Sequence, residues 1–178
     1  MTSVTSNGTV FTDSGQSEPW DTPSNAAIND GAYAVARLSI FSSSNSDDLT
    51  ATGYGFSIPA SATIDGIKVS VDRHSNTVDG ITDQSIVLVG GSGSNDYASA
   101  TNWPVTDAVA DYGGATDTWG FAWSPAQINA NTFGVTMSAI LAFLATSADA
   151  SIDEIAITVY YTEAAVAADH TIFFGINA

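Results

Sequence analysis

The sequence predicts an all-β protein: a two-sheet antiparallel β-sandwich of jelly-roll-like architecture, with one short helical turn. Short runs rich in Val, Ile, Thr and aromatic residues alternate with clusters of turn-forming residues. Of the 19 acidic residues 16 are Asp, which favours turns and caps over helix interiors. In residues 67–73, apolar side chains alternate with polar ones, as in a strand with one wet face.

Seven strands are predicted, with a further edge strand at residues 10–12. Their ranges are 32–41, 50–58, 64–73, 84–89, 118–123, 133–143 and 155–162. The breaks between them contain Asn-Asp-Gly, Gly-Gly and Ser-rich sequences, which are typical of turns. Seven or eight strands joined in this way indicate a sandwich of two sheets.

The single helical signal is at residues 124–128, where Ser124 can cap a helix and Pro125 can occupy its first position. The longest apolar stretch, residues 133–145, is shorter than the roughly 20 residues of a membrane-spanning helix and is interpreted as core. Residues 62–71 match residues 150–159 in sequence, and either duplication or a shared packing demand would explain the match.

Three segments are predicted: a flexible N-terminal arm over residues 1–8, a sandwich domain over 9–162 and a C-terminal arm over 163–178. The C-terminal arm contains Ile172, Phe173, Phe174 and Ile176, which need a surface to bury them. That surface is either the chain's own sheet or a neighbouring subunit. We expect these four residues to form an assembly interface.

Charge excludes several function classes. The 178 residues carry a net charge of −16, and the only cations are Arg37, Lys68 and Arg73. Nucleic-acid binding and attraction to an anionic membrane both need clustered basic residues, so neither partner is expected. The N-terminus shows no secretion signal, and the lack of cysteine excludes disulfides and Cys-based sites.

No catalytic motif is present, and the protein is predicted not to be an enzyme. His74 and His170 are the only histidines, neither lies near a nucleophile-elbow pattern, and HExxH, Walker A and GxGxxG motifs are missing. Acidic pairs such as Asp47 and Asp48 are interpreted as solvated turns and caps, since none follows the EF-hand spacing. No metal or cofactor is predicted.

Aromatic residues form the most suggestive group. Trp119 and Trp123 share one face of the predicted strand 118–123, and Trp103 and Tyr112 lie upstream. An exposed row of Trp and Tyr is a platform on which a sugar ring can stack. The same row buried is an ordinary sandwich core, and the sequence leaves both alternatives open.

Several sequence phrases together resemble a family of jelly-roll-like structural proteins of tailed bacteriophages and prophages. The phrases include Trp20, DGAYA at 30–34, GFSIPASATIDGI at 55–67, YGG at 112–114 and ITVYY at 157–161. The resemblance implies a non-enzymatic virion component, made in the host cytoplasm and released by lysis. It would be a capsid decoration (cement) protein, a homo-oligomer, expected as a trimer, that bridges subunits of the major capsid protein. The alternative is a glycan- or receptor-binding module of a tail fibre or bacterial surface protein, which would use the aromatic row.

Overall fold

The chain forms two antiparallel β-sheets, as predicted, in a computed structural model that describes residues 1–15 and 17–165. The strands are β1 (Thr2–Asn7), β2 (Val10–Ser14), β3 (Trp20–Asp21), β4 (Ala34–Ser39), β5 (Asp48–Thr52), β6 (Thr63–Ser75), β7 (Ile81–Val89), β8 (Ala108–Gly114), β9 (Gly134–Leu141) and β10 (Ser147–Thr162). A 3-10 turn spans Pro23–Ala26, and a helical turn, α1, spans Pro125–Ile128. Ser124 caps α1 in a capping box with Gln127, which confirms the predicted turn.

The first sheet has the order β3-β4-β10-β6-β8, and the second has the order β2-β5-β9-β7. Strand β10 is long enough to pair with two strands along one edge. Its first half pairs with β4 and its second half pairs with β1.

The connectivity is that of a jelly roll. Residues 97–103 run antiparallel to β7, through hydrogen bonds from the N–H of Tyr97 to Ile86 O (3.0 Å) and from the N–H of Trp103 to Ile81 O (2.8 Å). With this segment counted as the fifth of eight strands from β4 to β10, the strand orders are 1-8-3-6 and 2-7-4-5. Two interlocked Greek keys give this pattern.

The two matching sequence segments are neighbours in the first sheet. Val69 of β6 lies opposite Ile157 of β10, and the register continues symmetrically on both sides of this pair. Since 69 and 157 are also equivalent positions of the match, the two segments are related by a local two-fold axis through this pair.

Two predictions about the chain's elements are wrong. Residues 118–123 do not form a strand, because Trp119 and Gly120 have φ values of 57° and 71°, a left-handed conformation that ends extended structure. The N-terminal residues predicted as a flexible arm form β1, which pairs with β10 over its whole length. Strand β8 was not predicted.

Candidate interaction surface at the turn end

The four aromatic residues predicted as a ligand platform lie in the core. Trp103, Tyr112, Trp119 and Trp123 are all buried, so they present no exposed stacking face. Each polar tip has a partner inside the protein, as buried Trp and Tyr require. For example, Trp119 Nε1 donates to Ile67 O (2.9 Å) and Trp123 Nε1 donates to Thr118 O (3.0 Å).

Two of these aromatics surround a buried ion pair. Asp83 pairs with Arg73, and its carboxylate also accepts hydrogen bonds from Trp103 Nε1 (2.8 Å), the Tyr112 hydroxyl (2.8 Å) and the N–H of Ser99 (3.0 Å). The Arg73 guanidinium lies 4.6 Å from the centre of the Trp103 ring. Because β6 and β7 belong to different sheets, this network joins the two layers of the sandwich.

One end of the sandwich carries three tight turns, and we call it the turn end. The turns are residues 39–42, 77–80 and 142–145. Each is closed by a hydrogen bond from the fourth N–H to the first carbonyl, with N···O distances of 3.2, 3.1 and 3.0 Å. They follow β4, β6 and β9, which all end at this side of the molecule.

Backbone hydrogen bonds hold the turns against one another. The N–H of Ile40 donates to Thr146 O (3.1 Å), and the N–H of Ala142 donates to Gly80 O (2.9 Å). The turn that follows β9 is therefore tied to both of its neighbours. These hydrogen bonds fix the backbone that carries the side chains of the turn tips.

The turn tips carry apolar side chains where Gly, Asn, Asp or Ser is usual. We call this group the tip cluster: Ile40, Phe41, Val78, Phe143 and Leu144. Phe41 is 89% exposed, Phe143 is 93% exposed and Leu144 is 86% exposed. Exposed apolar side chains grouped at one end of a soluble protein are typical of an interaction site.

Leu144 occupies a strained backbone position. It is the third residue of its turn and has a φ of 78°, which makes the turn type II and favours glycine. A leucine there costs about 1 kcal/mol or more. Since its side chain packs against little in the domain itself, intramolecular contacts do not explain why a leucine occupies this position.

A shallow depression of about 410 Å³ lies within the turn end, lined in part by Val78, Phe143 and Leu144. Its volume is in the range of pockets that hold small ligands, about 300–1,000 Å³, so an aromatic side chain fits there. Asp79 is the one charged residue in its lining. The lining combines apolar side chains with the hydroxyl groups of Thr77, Thr146 and Ser147.

The sequence predicts four of the five tip residues in a strand or in the core. Ile40 and Phe41 were placed in the strand 32–41, and Phe143 and Leu144 in the apolar core stretch 133–145. The structure corrects both assignments, since β4 ends at Ser39 and β9 at Leu141. A usable signal existed: each apolar pair directly precedes a Ser- or Thr-containing turn sequence.

The outer face of the first sheet carries acidic side chains. Asp72 is buried beneath Asn29, which donates a hydrogen bond to it. Burial raises the pKa of Asp72, and the carboxylates of Asp107, Asp153 and Glu154 raise it further. In residues 1–15 and 17–165, no group of three or more His, Cys, Asp or Glu side chains is placed to hold a metal ion.

An aromatic and polar group lies at the edge of this face. The hydroxyl of the half-buried Tyr33 donates to Asp107 Oδ2 (2.8 Å), and Asp107 Oδ1 lies 2.7 Å from His74 Nδ1. The Tyr33 and His74 rings meet edge to face with their centres 4.8 Å apart. The half-buried Tyr33 ring is therefore held beside a carboxylate at the protein surface.

The predicted assembly residues Ile172, Phe173, Phe174 and Ile176 lie outside the described residues. Within the part of the chain that the structure describes, no helix has the length and apolar character needed to cross a bilayer.

Comparison with known proteins identifies no family. No family model matches the sequence. No curated protein matches it either. The resemblance to phage structural proteins therefore stays a prediction.

Among solved structures, the chain is similar to the CBM36-1 domain of a multidomain xylanase from the hindgut metagenome of Trinervitermes trinervoides. The two share 14% sequence identity, and the match covers 93% of this chain and 100% of that one, with a TM-score of 0.39. A likeness this distant carries no argument about function. The fold assignment rests on the strand pairings.

Proposed function

We propose that the protein is a non-enzymatic interaction module that docks onto a protein partner through the tip cluster. The observation that carries this proposal is the nearly complete exposure of Phe41, Phe143 and Leu144 on turns that are hydrogen-bonded to one another. Braced turns need no ordering on binding, so little of the contact energy is lost to conformational entropy.

The energetics favour association through this surface. Burying one Phe or Leu side chain contributes about 2 kcal/mol, so three together contribute about 6 kcal/mol, which matches the lower part of the association cost of about 4–15 kcal/mol. The rest of the molecule carries a net charge of −16, which opposes nonspecific contact between copies. The five tip residues carry no charge, and Asp79 is the one charged residue that lines the depression beside them, so a partner meets less electrostatic repulsion there than over the rest of the acidic surface.

The specific role that we propose first is that of a virion structural protein. It would be a decoration protein that bridges neighbouring capsid subunits. A rigid sandwich with an apolar docking end and an acidic surface suits that task. The support for the virion itself is the sequence resemblance alone. In this proposal the tip cluster joins copies of this chain to one another, and the assembled oligomer bridges the capsid subunits.

The test of docking through the turn end is the native mass of the full chain by light scattering over a range of concentrations. The double variant Phe143→Asp/Leu144→Asp is compared with Val109→Asp, a change of an exposed valine on β8 that is not part of the tip cluster. We expect association in the wild type and in the Val109 variant, and its loss in the double variant. Equal masses for all three would contradict docking through the tip cluster.

Glycan binding is the second candidate, and the specific observation for it is the Tyr33, His74 and Asp107 group. A tyrosine ring beside a carboxylate offers both an apolar face and a hydrogen-bond acceptor for sugar hydroxyls. Titration calorimetry with a panel of bacterial polysaccharides tests it, with Tyr33→Ala as the variant that should lose binding. No heat from any polysaccharide would remove this candidate.

A further inference from the structure

We propose that the tip cluster of one copy is the docking site for residues 172–176 of a second copy of this chain. The inference rests on the proposed function and names its partner. It assigns to residues 172–176 a specific surface, the turn end, which lies at the opposite end of β10 from Thr162, the last residue of that strand.

The two surfaces match in chemistry. Residues 172–176 are Ile-Phe-Phe-Gly-Ile and carry no charged side chain, and the tip cluster is apolar and uncharged. In a chain with 19 acidic and 3 basic residues, most pairs of surfaces from two copies repel each other. Contact between an uncharged segment and an uncharged cluster avoids that repulsion.

The shape of the docking site suits an aromatic side chain. Val78, Phe143 and Leu144 line the depression of about 410 Å³. An inserted Phe ring would contact the Phe143 ring and cover the Leu144 side chain. That cover supplies a reason for a leucine at the strained third position of its turn.

Chain length keeps Phe173 from the tip cluster of its own copy. Strand β10 begins at the turn end with Ser147 and runs 16 residues to Thr162, so its two ends are about 50 Å apart at a rise of ~3.3 Å per residue. Phe173 follows Thr162 by 11 residues, which span about 40 Å at most when fully extended. The Phe173 side chain therefore cannot return to the tip cluster of its own copy, but it can enter that of a neighbour.

Docking of this kind is head to tail, because it joins a segment of one copy to a different surface of the next copy. Such an interface closes into a ring where the rotation between copies permits, and otherwise it extends into a filament. A ring of three would correspond to the trimer expected from the sequence.

Complementation between two full-length variants tests the inference. The tail variant, Phe173→Asp/Phe174→Asp, keeps its tip cluster, and the tip variant, Phe143→Asp/Leu144→Asp, keeps its tail. We expect each to be monomeric alone by light scattering and a 1:1 mixture to give one dimer, because only one intact interface can form. Near-ultraviolet circular dichroism confirms that both variants are folded.

The outcomes separate the two proposals. Association that is lost in the tip variant and kept in the tail variant would overturn this inference and leave docking through the tip cluster in place. A mixture that remains monomeric although each variant has lost association would also overturn it, since the tip and the tail would then not contact each other. Wild-type mass in both variants would overturn this inference together with the proposed function.

Discussion

Arg73 and Asp83 form an ion pair inside the sandwich, with side chains that are 6% and 0% exposed. Arg73 belongs to β6 of the first sheet and Asp83 to β7 of the second. The pair therefore spans the interior between the layers. Hydrogen bonds from Trp103 and Tyr112 to the same carboxylate extend it into a network.

Removing the carboxylate of this pair should strongly destabilise the fold. In Asp83→Ala, the Arg73 guanidinium stays buried without its partner, and we expect the free energy of unfolding to fall by about 3–5 kcal/mol. Urea unfolding followed by tryptophan fluorescence measures the change.

A double variant separates the pair from simple packing. Arg73→Met/Asp83→Leu replaces both charges with apolar groups and should recover much of the stability lost in Asp83→Ala. A single variant that loses less than about 1 kcal/mol would show that the Arg73 charge finds solvent or another partner.

Gly113 is required at its position by the indole of Trp119. Its φ is 70°, and a Cβ there would lie 2.4 Å from Ile67 O and 2.4 Å from Trp119 Nε1. We expect Gly113→Ala to lower the free energy of unfolding by more than the roughly 1 kcal/mol of backbone strain alone. Thermal unfolding monitored by circular dichroism measures it.

The next residue is the matched control for that variant. A Cβ at Gly114 meets no atom within 4 Å, and its backbone is not in the left-handed region. Gly114→Ala should leave the unfolding temperature nearly unchanged. Equal losses in the two variants would contradict the role assigned to the Trp119 contact.

The sandwich was predictable because its evidence is local. Alternation in residues 67–73 fixes which side chains face the core, and turn residues mark most strand ends. Continuing that alternation places Arg73 on the inward face beside Ile67, Val69 and Val71, where the structure has it. The sequence therefore contained a signal for the buried charge, although its partner Asp83 depends on the packing of two sheets.

The backbone conformation of residues 118–123 and the exposed side chains of the turn end could not be predicted from local sequence patterns. The left-handed backbone of Trp119 is maintained with its indole bonded to Ile67, a residue 52 positions away. Phe143 and Leu144 have the hydrophobicity of core residues, yet they are exposed on a turn that is hydrogen-bonded through Ala142 to Gly80. Both features depend on contacts between distant segments, which one sequence does not display.

Asp72 should make stability depend on pH. Its pKa in the folded state is raised, first by burial and then by neighbouring carboxylates, above the usual value of 3.8. Folding therefore disfavours the charged form of Asp72. The free energy of unfolding falls as the pH rises from 3.8 to the raised pKa, because the unfolded state releases its proton first, and the loss persists at higher pH. Well below pH 3.8 both states are protonated, and Asp72 has no effect. We expect Asp72→Asn to be more stable than the wild type at pH 7 and equal to it at low pH, by urea unfolding at several pH values.

The control for that pH series is Asp48→Asn, which removes the same charge from an exposed position. It reports how much relief of the overall net charge contributes on its own. An Asp72 variant that is no more stable at pH 7 than the Asp48 variant would contradict the effect assigned to burial.

Relieving the backbone strain at Leu144 should stabilise the isolated domain while weakening its association. Leu144→Gly places the preferred residue at the third position of a type II turn, and we expect a gain of about 0.5–1 kcal/mol in the free energy of unfolding. Urea unfolding is measured at concentrations at which light scattering shows a monomer, because association would itself raise the apparent stability. Phe143→Gly, at the preceding position, where φ is not positive, is the control and should gain no stability. A Leu144→Gly variant less stable than the wild type would mean that the leucine side chain stabilises the free domain. The backbone strain at Leu144 would then have an explanation other than binding.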